Sequence, residues 1–95
     1  MKILVTGAAG FIGSNLVKAI YKQVDGVEVV GIDNMNDYYD VSLKDYRLAE
    51  IEKIVSEHPT SKWTFIKGSI SDKSLIDDIF TTYKPSIVVN LAAQA

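Results

Sequence analysis

No cysteine occurs among the 95 residues, which excludes a disulfide scaffold and a thiolate-held metal. Prolines number only two against 47% apolar residues, a balance that argues against disorder. No apolar run approaches the ~20 residues of a membrane-spanning helix. Nor does the start read as a secretory leader, because Lys2 is followed by only Ile3-Leu4-Val5 before Thr6-Gly7 closes the run. Charge of one sign is also lacking. Ten Lys and Arg against twelve Asp and Glu leave a net charge of −2, which offers no basic field to nucleic acid or to an anionic membrane surface. Neither is expected as a partner. On these absences a soluble, cytoplasmic α/β domain is expected, with one modest core, since a chain this short buries only roughly 60–65% of its unfolded surface.

What is present alternates. Ile3-Leu4-Val5-Thr6 reads as a strand covered on both faces. From Phe11 to Val24 the apolar residues Ile12, Leu16, Ile20 and Val24 recur every four, joined by Val17, as on one face of a helix. Gly26 suits the helix end, and Val27 to Ile32 forms a second strand. The polar stretch from Asp33 to Asp40 is a loop. A second helix is expected from Ser42 to Glu57, with Ser42 and Asp45 at capping-box spacing and Leu48, Ile51 and Val55 facing inward. Trp63 to Lys67 is a third strand, Leu75 to Tyr83 a third helix stopped by Lys84-Pro85, and Ile87 to Leu91 a fourth strand. Four strands joined by three helices imply crossover connections, hence a doubly wound parallel sheet of which this is a part.

The chemistry sits where strand one meets helix one, in Thr6-Gly7-Ala8-Ala9-Gly10-Phe11-Ile12-Gly13. Gly7 suits a tight turn, Gly10 lets a diphosphate approach the backbone, and Gly13 lets the helix lie close to the sheet. Free amides and the positive end of the helix dipole favour that anion. No Gly-Lys-Ser/Thr follows, so this is not a P-loop. Asp33, twenty residues beyond Gly13, ends strand two where a carboxylate can accept from an adenosine ribose. Neither the Ala8–Phe11 segment nor the Asp33–Leu43 segment contains a Lys or Arg, and on that ground NAD is expected over NADP. A calcium loop is excluded, because Met35 and Tyr38 occupy positions an EF-hand gives to a ligand and a glycine.

The glycine turn, Gly31-Ile32-Asp33-Asn34 and Asn90-Leu91-Ala92-Ala93-Gln94-Ala95 together resemble the amino-terminal part of extended short-chain dehydrogenase/reductases acting on nucleotide sugars. The loop Asn36-Asp37-Tyr38-Tyr39-Asp40 and its continuation Val41-Ser42-Leu43-Lys44 are similar to the UDP-glucuronate 4-epimerase branch. The resemblance implies a Rossmann-like fold, tightly held NAD, and transient oxidation of the sugar at C4. It places Gly7, Gly10, Phe11, Ile12 and Gly13 at the pyrophosphate, Asp33 and Asn34 at the adenosine ribose, and Leu91, Ala92 and Ala93 near the nicotinamide-side ribose. Relatives commonly carry Gly-Asp-Ile or Gly-Asp-Leu after strand three, with the Asp accepting from the adenine amino group. Here Gly68-Ser69-Ile70 stands in that place, with Ser69 a weaker acceptor. Many relatives also have His where this chain has Asn90.

The family transfers hydride with a Tyr-x-x-x-Lys pair. Four residues beyond Tyr21, Tyr38, Tyr39, Tyr46 and Tyr83 stand Asp25, Ser42, Leu43, Glu50 and Ile87, so the chain holds no such pair and no catalytic residue is assigned. It is expected to be the inactive NAD-binding portion, residues 1–95, of a longer nucleotide-sugar 4-epimerase whose substrate is UDP-linked and whose assembly could be a homodimer. A dehydratase or reductase of the same superfamily and a stand-alone dinucleotide-binding module are the rival readings. Asp72 is expected to cap helix three, Trp63 and Phe65 to pack at strand three, and Tyr38 and Tyr39 to fill the loop or border a substrate cleft. An isolated chain is expected to self-associate or to be marginally stable, through an exposed sheet edge.

Overall fold

The computed structural model describes residues 1–35 and 41–92, the Val41 side chain excepted. Seven elements alternate: β1 (Lys2–Thr6), α1 (Phe11–Gln23), β2 (Glu28–Asp33), α2 (Val41–Ser56), β3 (Lys62–Lys67), α3 (Lys73–Tyr83) and β4 (Ile87–Asn90). All strands are parallel, in the order β3-β2-β1-β4. This order places the chain's first strand between its second and fourth, so the crossover direction reverses beside β1. In such sheets, ligands lie beyond the carboxyl ends of the strands at the point of reversal.

Side-chain alternation explains the three layers. Ile3, Val5, Val27 and Val29 point to one face and pack with Val17 and Tyr21 of α1 and Ile51 of α2. Leu4, Val30 and Ile32 point to the other and pack with Ile79 of α3, flanked by Leu75, Ile76 and Tyr83. Unbroken apolar runs in β1 and β2 are therefore required, because both faces of each strand are covered. Trp63 leans on the first cluster and stacks on Phe65, with ring centroids 6.3 Å apart. Its ring lies over Gly31, where an added Cβ would overlap it and would come within 2.8 Å of the Ala8 Cβ.

Tyr21 is buried in α1, and its hydroxyl donates to the Lys62 carbonyl. Burial pushes this phenol well above its ordinary value. Between α1 and α2, Lys18 and Glu50 pair at 3.2 Å, a surface contact worth under about 1 kcal/mol.

Element bounds agree with the sequence reading to within two residues. One local expectation is corrected. Because α2 begins at Val41, Ser42 lies in its first turn, whereas a cap must have non-helical backbone; the capping position falls outside the described residues. At α3 the expected cap is present, with Asp72 accepting from the Leu75 amide at 3.2 Å.

Candidate functional site

The β1–α1 turn is held from three sides. Gly7 and Ala8 donate their amides to the Ile32 carbonyl at 2.8 and 3.2 Å, tying the turn to the end of β2. Gly7 has φ of +72°, and a Cβ there would stand 2.8 Å from the Leu91 carbonyl carbon and oxygen. It meets two demands at once, a left-handed backbone and close passage of the segment after β4. At Gly13 a Cβ would overlap the Gly7 carbonyl oxygen, so α1 rests directly on the turn. Gly10 differs. A Cβ there would meet only the Gly7 oxygen at 3.2 Å, and the rest of its surroundings is open.

Gly10 is also the N-cap of α1 and supplies no side-chain cap. Its amide donates to the Gly7 carbonyl and its carbonyl accepts from Ser14. The amides of Phe11, Ile12 and Gly13 have no acceptor among the described residues. No acidic residue lies in the first turn, so no side chain of that turn offsets the positive helix end. Phe11 and Ile12 are exposed there, at 69% and 67%.

Asp33 joins this turn to β2 and α2. Its Oδ2 accepts from the Ala9 amide at 3.1 Å. Its Oδ1 accepts from the Met35 amide and from Lys44 Nζ, both at 2.8 Å. The side chain is only 4% exposed, a burial that a carboxylate tolerates when paired and hydrogen-bonded. Of its roughly four acceptor positions, described residues fill three. Arg47, one turn beyond Lys44 on α2, donates from Nη1 to the Ala9 carbonyl at 3.3 Å, and its guanidinium carbon lies 5.8 Å from the Phe11 ring centroid. Both hydrogen-bonding groups of Ala9 are thus engaged, one by a carboxylate and the other by a cation.

Across the mouth, the Thr6 hydroxyl donates to Asn90 Oδ1 and accepts from the amides of Leu91 and Ala92 at 3.0 and 3.2 Å. Asn90 therefore has a role that the sequence alone does not disclose: it fixes the Thr6 hydroxyl, which in turn fixes the segment passing under Gly7. At the end of β3, the Gly68 amide donates to the Asp33 carbonyl at 3.0 Å, so Ser69 and Ile70 follow at the same end of the sheet. The Ser69 oxygen accepts from the Ser71 amide at 3.1 Å and pairs with the Ser71 hydroxyl at 2.7 Å.

The structure thus gathers Gly7, Gly10, Phe11, Ile12, Gly13, Asp33 and Asn34 around the ends of β1 and β2, with Ser69 and Ile70 after β3 and Leu91 and Ala92 after β4. Ala93, Tyr38 and Tyr39 lie outside the described residues. Sequence reasoning missed Lys44 and Arg47. The absence of Lys and Arg from Asp33 to Leu43 does not leave Asp33 without a cation, because a helix face brings Lys44 back to it. The available signal was their spacing of three on a predicted helix, which puts both on one face.

Among the described residues no helix is long and apolar enough to cross a membrane. A parallel sheet reversing direction beside β1, with a glycine turn at that point, defines the class as Rossmann-type α/β. The family described as GDP-mannose 4,6 dehydratase matches residues 4–95, and the chain belongs to that family. It is 47% identical to Protein CapI of Staphylococcus aureus over 95 residues, all of this chain and 26% of that protein. With UDP-glucuronate 4-epimerase 2 of Arabidopsis thaliana it shares 42% identity, again over the whole chain and over 20% of the relative. A UDP-glucuronic acid 4-epimerase from Bacillus cereus, solved in complex with NAD, superposes with a TM-score of 0.77 at 35% identity, covering 100% of this chain and 28% of that one. The chain therefore spans about a quarter or less of the relatives it matches.

Proposed function

We propose that these residues are the NAD-binding amino-terminal part of a cytoplasmic nucleotide-sugar 4-epimerase, an isomerase acting on UDP-glucuronate or a close UDP-sugar. One observation carries the reading: the Asp33 carboxylate stands 3.1 Å from the Ala9 amide, inside the glycine turn. Amide donors for a diphosphate and a carboxylate acceptor for ribose hydroxyls are thereby adjacent. The likeness to 4-epimerases at 42% and 35% identity supports the choice of reaction.

In this reading the free amides of Phe11, Ile12 and Gly13 receive the diphosphate, and the open side of Gly10 gives it room. Asp33 offers its remaining acceptor position, with Asn34, to the adenosine ribose. Ser69 and Ile70 border the adenine, and Leu91, Ala92 and Ala93 the nicotinamide-side ribose. Bound NAD supplies a reversible hydride acceptor for the sugar's C4. The chain's own contribution is binding and orientation: Gly7 and Gly13 keep the helix end aimed at the anion, and Thr6 with Asn90 holds the floor of the mouth. Moving the proton of the sugar hydroxyl needs a general base. No Tyr-x-x-x-Lys pair stands among the 95 residues, so they alone bind and do not turn over.

The test uses the complete protein with UDP-glucuronate, followed by proton NMR. The expected product is the C4 epimer at unchanged mass, with NAD retained and Asp33→Ala weakening NAD at least about tenfold. The description of the matching family favours a second reading, a 4,6-dehydratase. A product lighter by one water, from a hexose rather than a hexuronate, would establish that one instead.

A further inference from the structure

We propose that Lys44 and Arg47 are specificity-determining residues at the ribose end: together they offset the charge of Asp33 and set the margin by which the site prefers NAD to its 2′-phosphorylated form. The inference rests on the dinucleotide reading above.

The argument is one of charge and reach. A carboxylate at the end of β2 would by itself repel a ribose 2′-phosphate, and that repulsion is the usual reason to expect NAD. Here the carboxylate is not by itself. Lys44 Nζ lies 2.8 Å from Oδ1, with its side chain only 13% exposed. Arg47 is anchored to the Ala9 carbonyl and lies against Phe11, beside the residue whose amide Asp33 holds. Among the described residues, the charged side chains in contact with Asp33 and Ala9 sum to one positive charge rather than one negative. Spacing of three on α2 delivers both cations from one face, and their bonds to Asp33 and Ala9 fix where they stand. Discrimination against a 2′-phosphate then depends on hydrogen bonding and space, while the electrostatic component works the other way. In water, a unit charge at ~4 Å from another changes a binding ratio by about fivefold, and by more where solvent is partly excluded.

The test measures dissociation constants of NAD and NADP by calorimetry, with competition for the weaker ligand, in the complete protein and in Arg47→Met, Lys44→Met and Lys44→Arg. The quantity read is the ratio of the NADP constant to the NAD constant, from which any loss of folded protein cancels. Arg47→Met leaves the Asp33 ion pair in place and is the decisive variant if Lys44→Met fails to fold. The ratio is expected to rise about fivefold in Arg47→Met and at least as much in Lys44→Met, to stay within about twofold in Lys44→Arg, and to change less at ~0.5 M salt, where charges are screened. An unchanged ratio in Arg47→Met with NAD still bound would overturn this inference and leave the dinucleotide reading standing. So would a starting protein that rejects NADP by more than about a thousandfold. Failure of both dinucleotides to bind would overturn the two together.

Discussion

Leu4 of β1 and Val88 of β4 are partners across one ladder and point to the same face of the sheet. Leu4 is 1% exposed and Val88 is 48% exposed. The residue types do not account for this, since both are aliphatic and both lie in apolar runs. Position does. Leu4 has strands on both sides and Ile79 of α3 above it, whereas β4 has β1 as its one neighbour among the described strands. The glycine turn grows from the covered region, over the ends of β1 and β2, where a Cβ added at Gly7 or Gly13 meets backbone. Burial and tolerance in this molecule follow from what surrounds a strand, and the site is built where the surroundings are most complete.

The sharpest way to break that contrast is to add one carbon at each of two glycines in the same turn. Gly13→Ala drives a Cβ into the Gly7 carbonyl, where the atoms it meets are backbone of Gly7 and Ala8 and no flexible side chain can yield. It should cost at least about 3 kcal/mol in urea unfolding. Gly10→Ala brings a Cβ to 3.2 Å from the Gly7 carbonyl oxygen alone, with open space elsewhere, and should cost under about 1 kcal/mol while weakening NAD in the complete protein. Similar stability losses at the two positions would mean that the turn is not locked as described. Next in size, Leu4→Ala should cost about 3 kcal/mol, as expected for deleting a fully enclosed side chain.

A smaller effect probes the covered face through pH. The Tyr21 phenol is buried and its pKa lies above the ordinary ~10. Below pH ~10 the phenol is neutral in both folded and unfolded chains, so its contribution is fully present. Above that, the unfolded chain loses the proton first, and stability falls as pH rises toward the folded value. Tyr21→Phe should remove this alkaline loss and cost about 1 kcal/mol at neutral pH, through the hydrogen bond to Lys62. An alkaline limb of the same slope in Tyr21→Phe would assign the loss to other groups.

These residues also mark what the sequence could disclose. Runs such as Ile3-Leu4-Val5 and the spacing of four in α1 reveal strands and helix, because one period belongs to each element. Asp33 was legible because its place at a strand end follows from the run before it. Lys44 and Arg47 were not, since their meaning depends on how α2 packs across the turn, and counting along the chain measures the wrong distance. Asn90 was opaque for a similar reason: its partner Thr6 lies 84 residues away and becomes a neighbour only through the β1–β4 ladder. Ser42 misled because a capping pattern fits equally well one residue inside a helix. Equally apolar runs in β1 and β4 gave no hint of which strand would be enclosed.

Val88 supplies the smallest expected effect and the one that most directly tests the outer strand. Val88→Ala removes two methyl groups that are half in water already and should cost under about 1 kcal/mol, against about 3 for its partner Leu4. Val88→Lys should cost little more, because a lysine stem can lie along the apolar surface with its charge in solvent. Lysine on an edge strand also opposes pairing with a second edge. The 95-residue chain should therefore show concentration-dependent sedimentation that Val88→Lys reduces. A Val88→Ala cost close to that of Leu4→Ala would show β4 to be as enclosed as β1, and the contrast between centre and edge would then have no basis.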